Sequence, residues 1–173
     1  MDKINPQHLK AEAYAIAPYI GGSIAGDVVA SGTNASVSDL LAMLQNTLTH
    51  DVPVPGEVSK VRKSFEKTVQ ENKALAERYG VALVAYEGGQ HLTLNGQDSA
   101  LNEKLMSANR DPKMYDIYHS MLDLWFKNGG GTFAAYSFVG GFNKWGSWPA
   151  LEWIGQPTDQ APKYRALRDF LKK

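Results

Sequence analysis

The chain contains no cysteine. Disulfides and thiolate-bound metals are thereby excluded, while the cellular compartment stays open. It also has no excess of either charge: 18 Lys and Arg stand against 18 Asp and Glu, for a formal net charge of zero. A balanced chain lacks the electrostatic footprint that draws proteins to nucleic acid or to anionic membranes, so neither is expected as a partner. No apolar run is long enough for a membrane span, and the opening "MDKINPQHLK" lacks the apolar centre of a signal peptide. What is present is 173 residues, 43% hydrophobic and 21% charged, which suits one domain with a sizeable core. Tryptophan is unevenly placed. Trp125, Trp145, Trp148 and Trp153 all fall in the last third of the chain.

Three segments share a design: "AYAIAPYIGG" (13–22), "VALVAYEGGQ" (81–90) and "TFAAYSFVGG" (132–141). Each is a near-continuous apolar run closed by Gly-Gly. Continuous rather than alternating apolarity predicts strands covered on both faces, as in a parallel sheet. The glycines allow a sharp turn directly after each strand. Between the runs the periodicity is helical. "SVSDLLAMLQNTL" places Val37, Leu40, Leu41, Leu44 and Leu48 on one face, with Ser36 and Asp39 spaced as a capping box. "GEVSKVRKSFEKTVQENKALAERYG" predicts a helix presenting Val58, Val61, Phe65, Val69 and Leu75, stopped at Gly80. "DPKMYDIYHSMLDLWFKNGG" predicts a helix capped by Asp111, with Pro112 at its first position and Gly129 at its end. Its stripe of Met114, Ile117, Tyr118, Met121, Leu122 and Trp125 is read as core. "APKYRALRDFLKK" closes the chain as a last helix.

This order predicts an α/β fold of βα units with parallel strands. Only three strands are legible, whereas a closed (β/α)8 barrel needs eight and about 250 residues. Phosphate-binding signatures fail. "GGSIAGD" spaces Gly21 and Gly26 like a P-loop, but Asp27 and Val28 stand where Lys and Ser or Thr belong, and no helix is expected to follow at once.

In a parallel βα fold, chemistry collects on the loops at the carboxyl ends of the strands. Glu87 stands at such an end. A carboxylate held there beside a low-dielectric core suits a nucleophile or general base, and equally a structural partner for Arg or Lys. Gln90 and His91 follow on the same loop, where each could hydrogen-bond a substrate hydroxyl. Tyr136, closing the third run, is expected on the same edge of the sheet. The loop "GFNKWGSWPALEW" then interleaves Trp145, Trp148 and Trp153 with Gly, Asn and Lys. Exposed indoles are costly unless they stack on something, and sugar rings offer apolar C–H faces. A carboxylate at one strand end and indoles at the next compose a glycosidase-like cleft.

Together, "AIAPYIGG", "VALVAYEGGQHL" and "WGSWPALEWIGQPTDQAPKYRALRDFL" resemble the C-terminal part of clan A-like (β/α)8 glycoside hydrolases, and among them bacterial proteins described as cellulose-binding or glycosidase-like. "YEGGQH" is the most specific piece. The resemblance implies a partial (β/α)8 TIM barrel holding the last three βα units, strands six to eight, over residues 1–173 as one incomplete domain. It implies Glu87 as the nucleophile of a retaining mechanism, with Tyr19 hydrogen-bonding it from the end of strand six. Trp145 or Trp148 would form the aromatic platform after strand eight. The acid/base glutamate of the clan closes strand four, which has no counterpart here. Glu152, Asp27 and Asp98 are the remaining loop carboxylates, and none stands at a strand end.

The expectation is therefore a fragment of a glycoside hydrolase acting on a poly- or oligosaccharide. It needs no cofactor and no metal, and its missing N-terminal half supplies the acid. A secreted or periplasmic parent is compatible with the resemblance. A non-catalytic carbohydrate-binding barrel is the alternative, and a lyase or isomerase using Glu87 as base is a third reading. His8, His50 and His119 are read as structural or exposed.

Overall fold

In the computed structural model, residues 10–57, 59–95 and 99–172 are described. The first apolar run gives β1 (Ala13–Ile16) and, after a break at Ala17–Pro18, the short β2 (Tyr19–Ile20). Proline's fixed φ and missing N–H account for the break. Helices α1 (Ile24–Ser31) and α2 (Val37–Thr49) follow, then a hairpin of β3 (Val52–Pro53) and β4 (Val61–Arg62), then α3 (Phe65–Arg78). The second run gives β5 (Ala82–Ala85) and β6 (Gly89–Gln90). Helices α4 (Ala100–Arg110) and α5 (Lys113–Lys127) precede the third run, and α6 (Pro162–Phe170) ends the fold.

β1 and β5 pair in parallel, with Ala13 opposite Ala82 and Ile16 opposite Ala85. β2 and β6 continue the pairing, Tyr19 opposite Gly89. The third run lies on the far side of β5. The Ala85 amide donates to the Thr132 carbonyl at 2.9 Å, Ala134 to Ala85 at 3.0 Å and Tyr136 to Gly88 at 2.9 Å. The three runs thus lie side by side in sequence order and all run the same way, an α/β architecture with small parallel sheets. The third run forms bridges rather than a regular strand. Its outer side gains a strand partner, among the described residues, only where Val139 pairs with Leu151.

Coverage of the sheet departs from expectation. Tyr14, Ile16, Leu83, Ala85 and Phe133 face the helices and join a core built from Leu40, Leu44, Leu48, Leu105, Met121 and Trp125. The Trp125 indole donates to the Gly131 carbonyl at 2.7 Å and sets its edge against Phe133. On the other face Ala13, Ala15, Ala82, Thr132 and Ala134 are exposed and Val84 is half-buried. Among the described residues the helices pack on one side, so the two-sided cover that continuous apolarity predicts is present there on one side only. An apolar groove of about 390 Å³, lined by Leu122, Phe126, Phe133, Phe138, Tyr164 and Phe170, also lies between the third run and helices α5 and α6.

Local corrections have local causes. A helix does follow the first Gly-Gly at once: Gly21, at φ 78°, turns the chain straight into α1. The third helix starts at Ser64, whose hydroxyl accepts from the Lys67 amide at 3.3 Å, and not near Gly56. Val61 sits instead in the hairpin, exposed, while Val58 lies outside the described residues. The capping box of α2 forms as its spacing predicts, Ser36 and Asp39 exchanging side chain to backbone bonds at 3.2 and 2.8 Å. The sequence reading assigns no element to Ala100–Arg110, where Ser99 caps α4.

Candidate active site

The register places the site. Tyr86 donates its amide to the Ile16 carbonyl at 3.1 Å, and His91 donates to Ile20 at 2.8 Å. Between these two anchors Glu87 and Gly88 are lifted to the carboxyl edge, beside Tyr19. Gly89 makes the turn at φ 145°, a conformation that L side chains rarely adopt. A Cβ there would also meet the Tyr118 hydroxyl at 2.9 Å.

Glu87 is half-buried, and its carboxyl group lies within electrostatic reach of the Tyr19 hydroxyl. Burial first, then the Glu87 charge and hydrogen bonding toward it, push the Tyr19 hydroxyl up to about 12, with smaller contributions from Tyr136 and Tyr86. Tyr19 therefore keeps its proton at neutral pH and offers a donor beside Glu87. Rings close around the pair. His91 stands edge-on to Tyr19 at 5.5 Å and 76°, and to Trp148 at 5.6 Å and 61°. Trp148 in turn meets Tyr136 at 6.2 Å and 70°. Four rings from all three βα units thus run Tyr19, His91, Trp148, Tyr136. A recess of about 240 Å³ adjoins Tyr19, lined also by Ser23, Thr47, Arg62 and Phe65.

The remaining expected site residues divide. Trp145 is 61% exposed and lies outside the ring sequence, with the Lys144 ammonium 6.0 Å from its ring centre. Its carbonyl accepts from the Thr93 hydroxyl at 2.7 Å. Gln90 does not offer its amide to the cleft. It is 1% exposed; its Nε2 donates to the Ser147 carbonyl at 2.8 Å and its Oε1 accepts from the Leu92 amide at 2.8 Å. Both ends are spent on backbone, so it is a tie between loops. The buried Tyr118 hydroxyl accepts from the Gln90 amide at 3.1 Å, and burial holds that phenol above its ordinary range.

Neither candidate second carboxylate in the described residues is free. Glu152 forms a two-pronged pair with Arg110, at 2.7 and 2.5 Å, and Asp27 pairs with Arg62 at 2.6 Å. Asp98 and His8 lie outside the described residues. His119 pairs with Asp123 at 3.0 Å, and His50 sits exposed at the end of α2. Among the described residues no group of three or more His, Asp or Glu could hold a metal ion, and no helix is long and apolar enough to cross a membrane. One residue of this region escapes sequence reasoning altogether: Lys163 of α6 is buried beneath the aromatic loop. Comparison with protein-family models, with curated proteins and with solved structures gave no match for this chain.

Proposed function

We propose that this chain is the last three βα units of a (β/α)8 glycoside hydrolase of the clan A type, with Glu87 as its nucleophile. One observation carries the reading: a half-buried carboxyl group stands beside the Tyr19 hydroxyl at the carboxyl ends of parallel strands, where Tyr19, His91, Trp148 and Tyr136 follow ring to ring. In retaining hydrolysis such a carboxylate attacks the anomeric carbon, and a second carboxyl group about 5–5.5 Å away protonates the leaving oxygen. Among the described residues Glu152 and Asp27 are each held by an arginine, and on this reading the acid is assigned to preceding βα units. The open sheet face and the apolar groove beside the third run support the same view, since a barrel would cover both.

The test is aryl glycoside hydrolysis by the chain alone and with a polypeptide supplying the preceding βα units, each beside its Glu87→Gln variant. Alone, the chain is expected to turn over no faster than the variant; together, turnover should depend on Glu87. Clear Glu87-dependent turnover by the isolated monomer would refute the fragment reading. A non-catalytic carbohydrate-binding protein is the second reading, favoured by the exposure of Trp145 (61%) and Trp153 (49%). Retention on insoluble polysaccharide that falls with Trp145→Ala and ignores Glu87→Gln selects it.

A further inference from the structure

Lys163 has an environment that packing alone does not explain. It is 1% exposed, in a helix whose neighbouring positions Pro162 and Ala166 are also buried. A buried ammonium is costly unless every proton finds an acceptor, and an apolar side chain of similar length would fill the same space without that cost. Here the amine has three acceptors in reach: Asn109 Oδ1 at 3.0 Å, the Trp148 carbonyl at 3.3 Å and the Ser147 carbonyl. Burial lowers its pKa well below the ordinary lysine value, and the Phe142 ring lies 4.4 Å away with its face toward the nitrogen. The charged groups nearby are Arg110 on α4 and Glu152 on the loop, and these are already paired with each other. With its donors satisfied by backbone and amide, the amine is poorly placed to act as a nucleophile. It is well placed to fix the loop.

We infer that Lys163 is a positioning residue: it clamps the Ser147–Trp148 backbone from beneath and thereby holds the Trp148 indole against His91. Two further contacts, with the Asn109 bond already named, make the clamp specific. Gln90 donates to the same Ser147 carbonyl from β6, so one oxygen joins α6 to the strand that follows Glu87. Asn109 joins α4 to the same point through Lys163. The Trp148 ring packs directly over Gly146 and leaves no room for a Cβ there, so the indole is confined from its own loop as well. The importance of the clamp for a ligand rests on the function proposed above; the clamp itself does not.

The experiment therefore uses no sugar. Near-ultraviolet dichroism reads an indole held in one asymmetric setting. Subtracting the spectrum of Trp148→Phe from that of the wild-type chain isolates the Trp148 band, which should shrink in a His91→Ala background, since His91 stands edge-on to Trp148. In Lys163→Met, with far-ultraviolet dichroism and cooperative melting retained, the band should be lost; Lys163→Gln, which keeps a neutral donor, should restore part of it. A folded Lys163→Met with the full wild-type band overturns the inference. Should the methionine variant fail to fold, Lys163→Gln decides: a reduced band supports the clamp, and an undiminished one overturns it. Glycoside assays play no part in these outcomes, so they stand apart from the fate of the Glu87 assignment.

Discussion

Tyr19 carries the clearest electrostatic signature of the site. Its hydroxyl is pushed up to about 12 in the fold, against about 10 for an unfolded tyrosine. The folded protein therefore holds this proton where the unfolded chain loses it. The resulting contribution to stability is complete below pH about 10 and disappears as the pH rises toward 12. In an alkaline titration followed by tyrosinate absorbance, a late step absent from Tyr19→Phe is expected. Glu87→Gln should move that step to lower pH without restoring the ordinary value, because burial is the largest cause and the Glu87 charge the second. A step indifferent to Glu87→Gln would separate the two side chains. Glu87 is legible in the sequence because it closes an apolar run, whereas Tyr19 is reached only through the resemblance to clan A-like glycosidases. The burial of Gln90 and Lys163 is not legible. Gln90 follows two glycines, where the alternation of sides cannot be carried forward, and Lys163 is one of several cations in a short helix with nothing in its spacing to mark it as the buried one.

At the scale of elements, the turns decide more than the propensities. Two glycines give a contrast. Gly89 sits at φ 145° with the Tyr118 hydroxyl where a Cβ would go, whereas Gly26 is exposed in the middle of α1 with nothing within 4 Å. Gly89→Ala should destabilise by about 1–3 kcal/mol, and Gly26→Ala should stabilise by about 0.5–1 kcal/mol. Denaturant unfolding of both variants checks the pair. Ser36→Ala, which removes one half of the capping box of α2, should cost about 1 kcal/mol. The helices α2 and α5 are readable from spacing because their apolar stripes meet the core. The hairpin Val52–Arg62 is not, since its strands are two residues each and Val61 matches the helical stripe of α3 by coincidence of spacing.

For the molecule as a whole, the unequal cover of the sheet matters most. β1 has no strand partner on its outer side among the described residues, and Ala13 and Ala15 leave its open face flat and small. Such an edge is a template for pairing with another chain. Sedimentation velocity should show association that grows with concentration, and Ala15→Lys should reduce it. A monomer at every concentration, unchanged by the lysine, would mean that the edge is already protected. The parallel order of the three runs is legible in the sequence, because continuous apolarity and Gly-Gly endings repeat. Their one-sided cover is not, since it depends on where every helix packs.

The sequential order of the runs has a consequence for how the protein comes into being. As the polypeptide leaves the ribosome, Tyr19 emerges first and waits for Glu87 and His91, and Trp148 arrives only with the final loop. Contacts of such wide separation carry a loop-closure cost that makes them slow to form. Lys163, which fastens that loop, is synthesised later still. The four-ring arrangement is thus expected to close late, and a nascent chain halted before α6 should lack the contacts by which Lys163 fastens the Ser147–Trp148 loop.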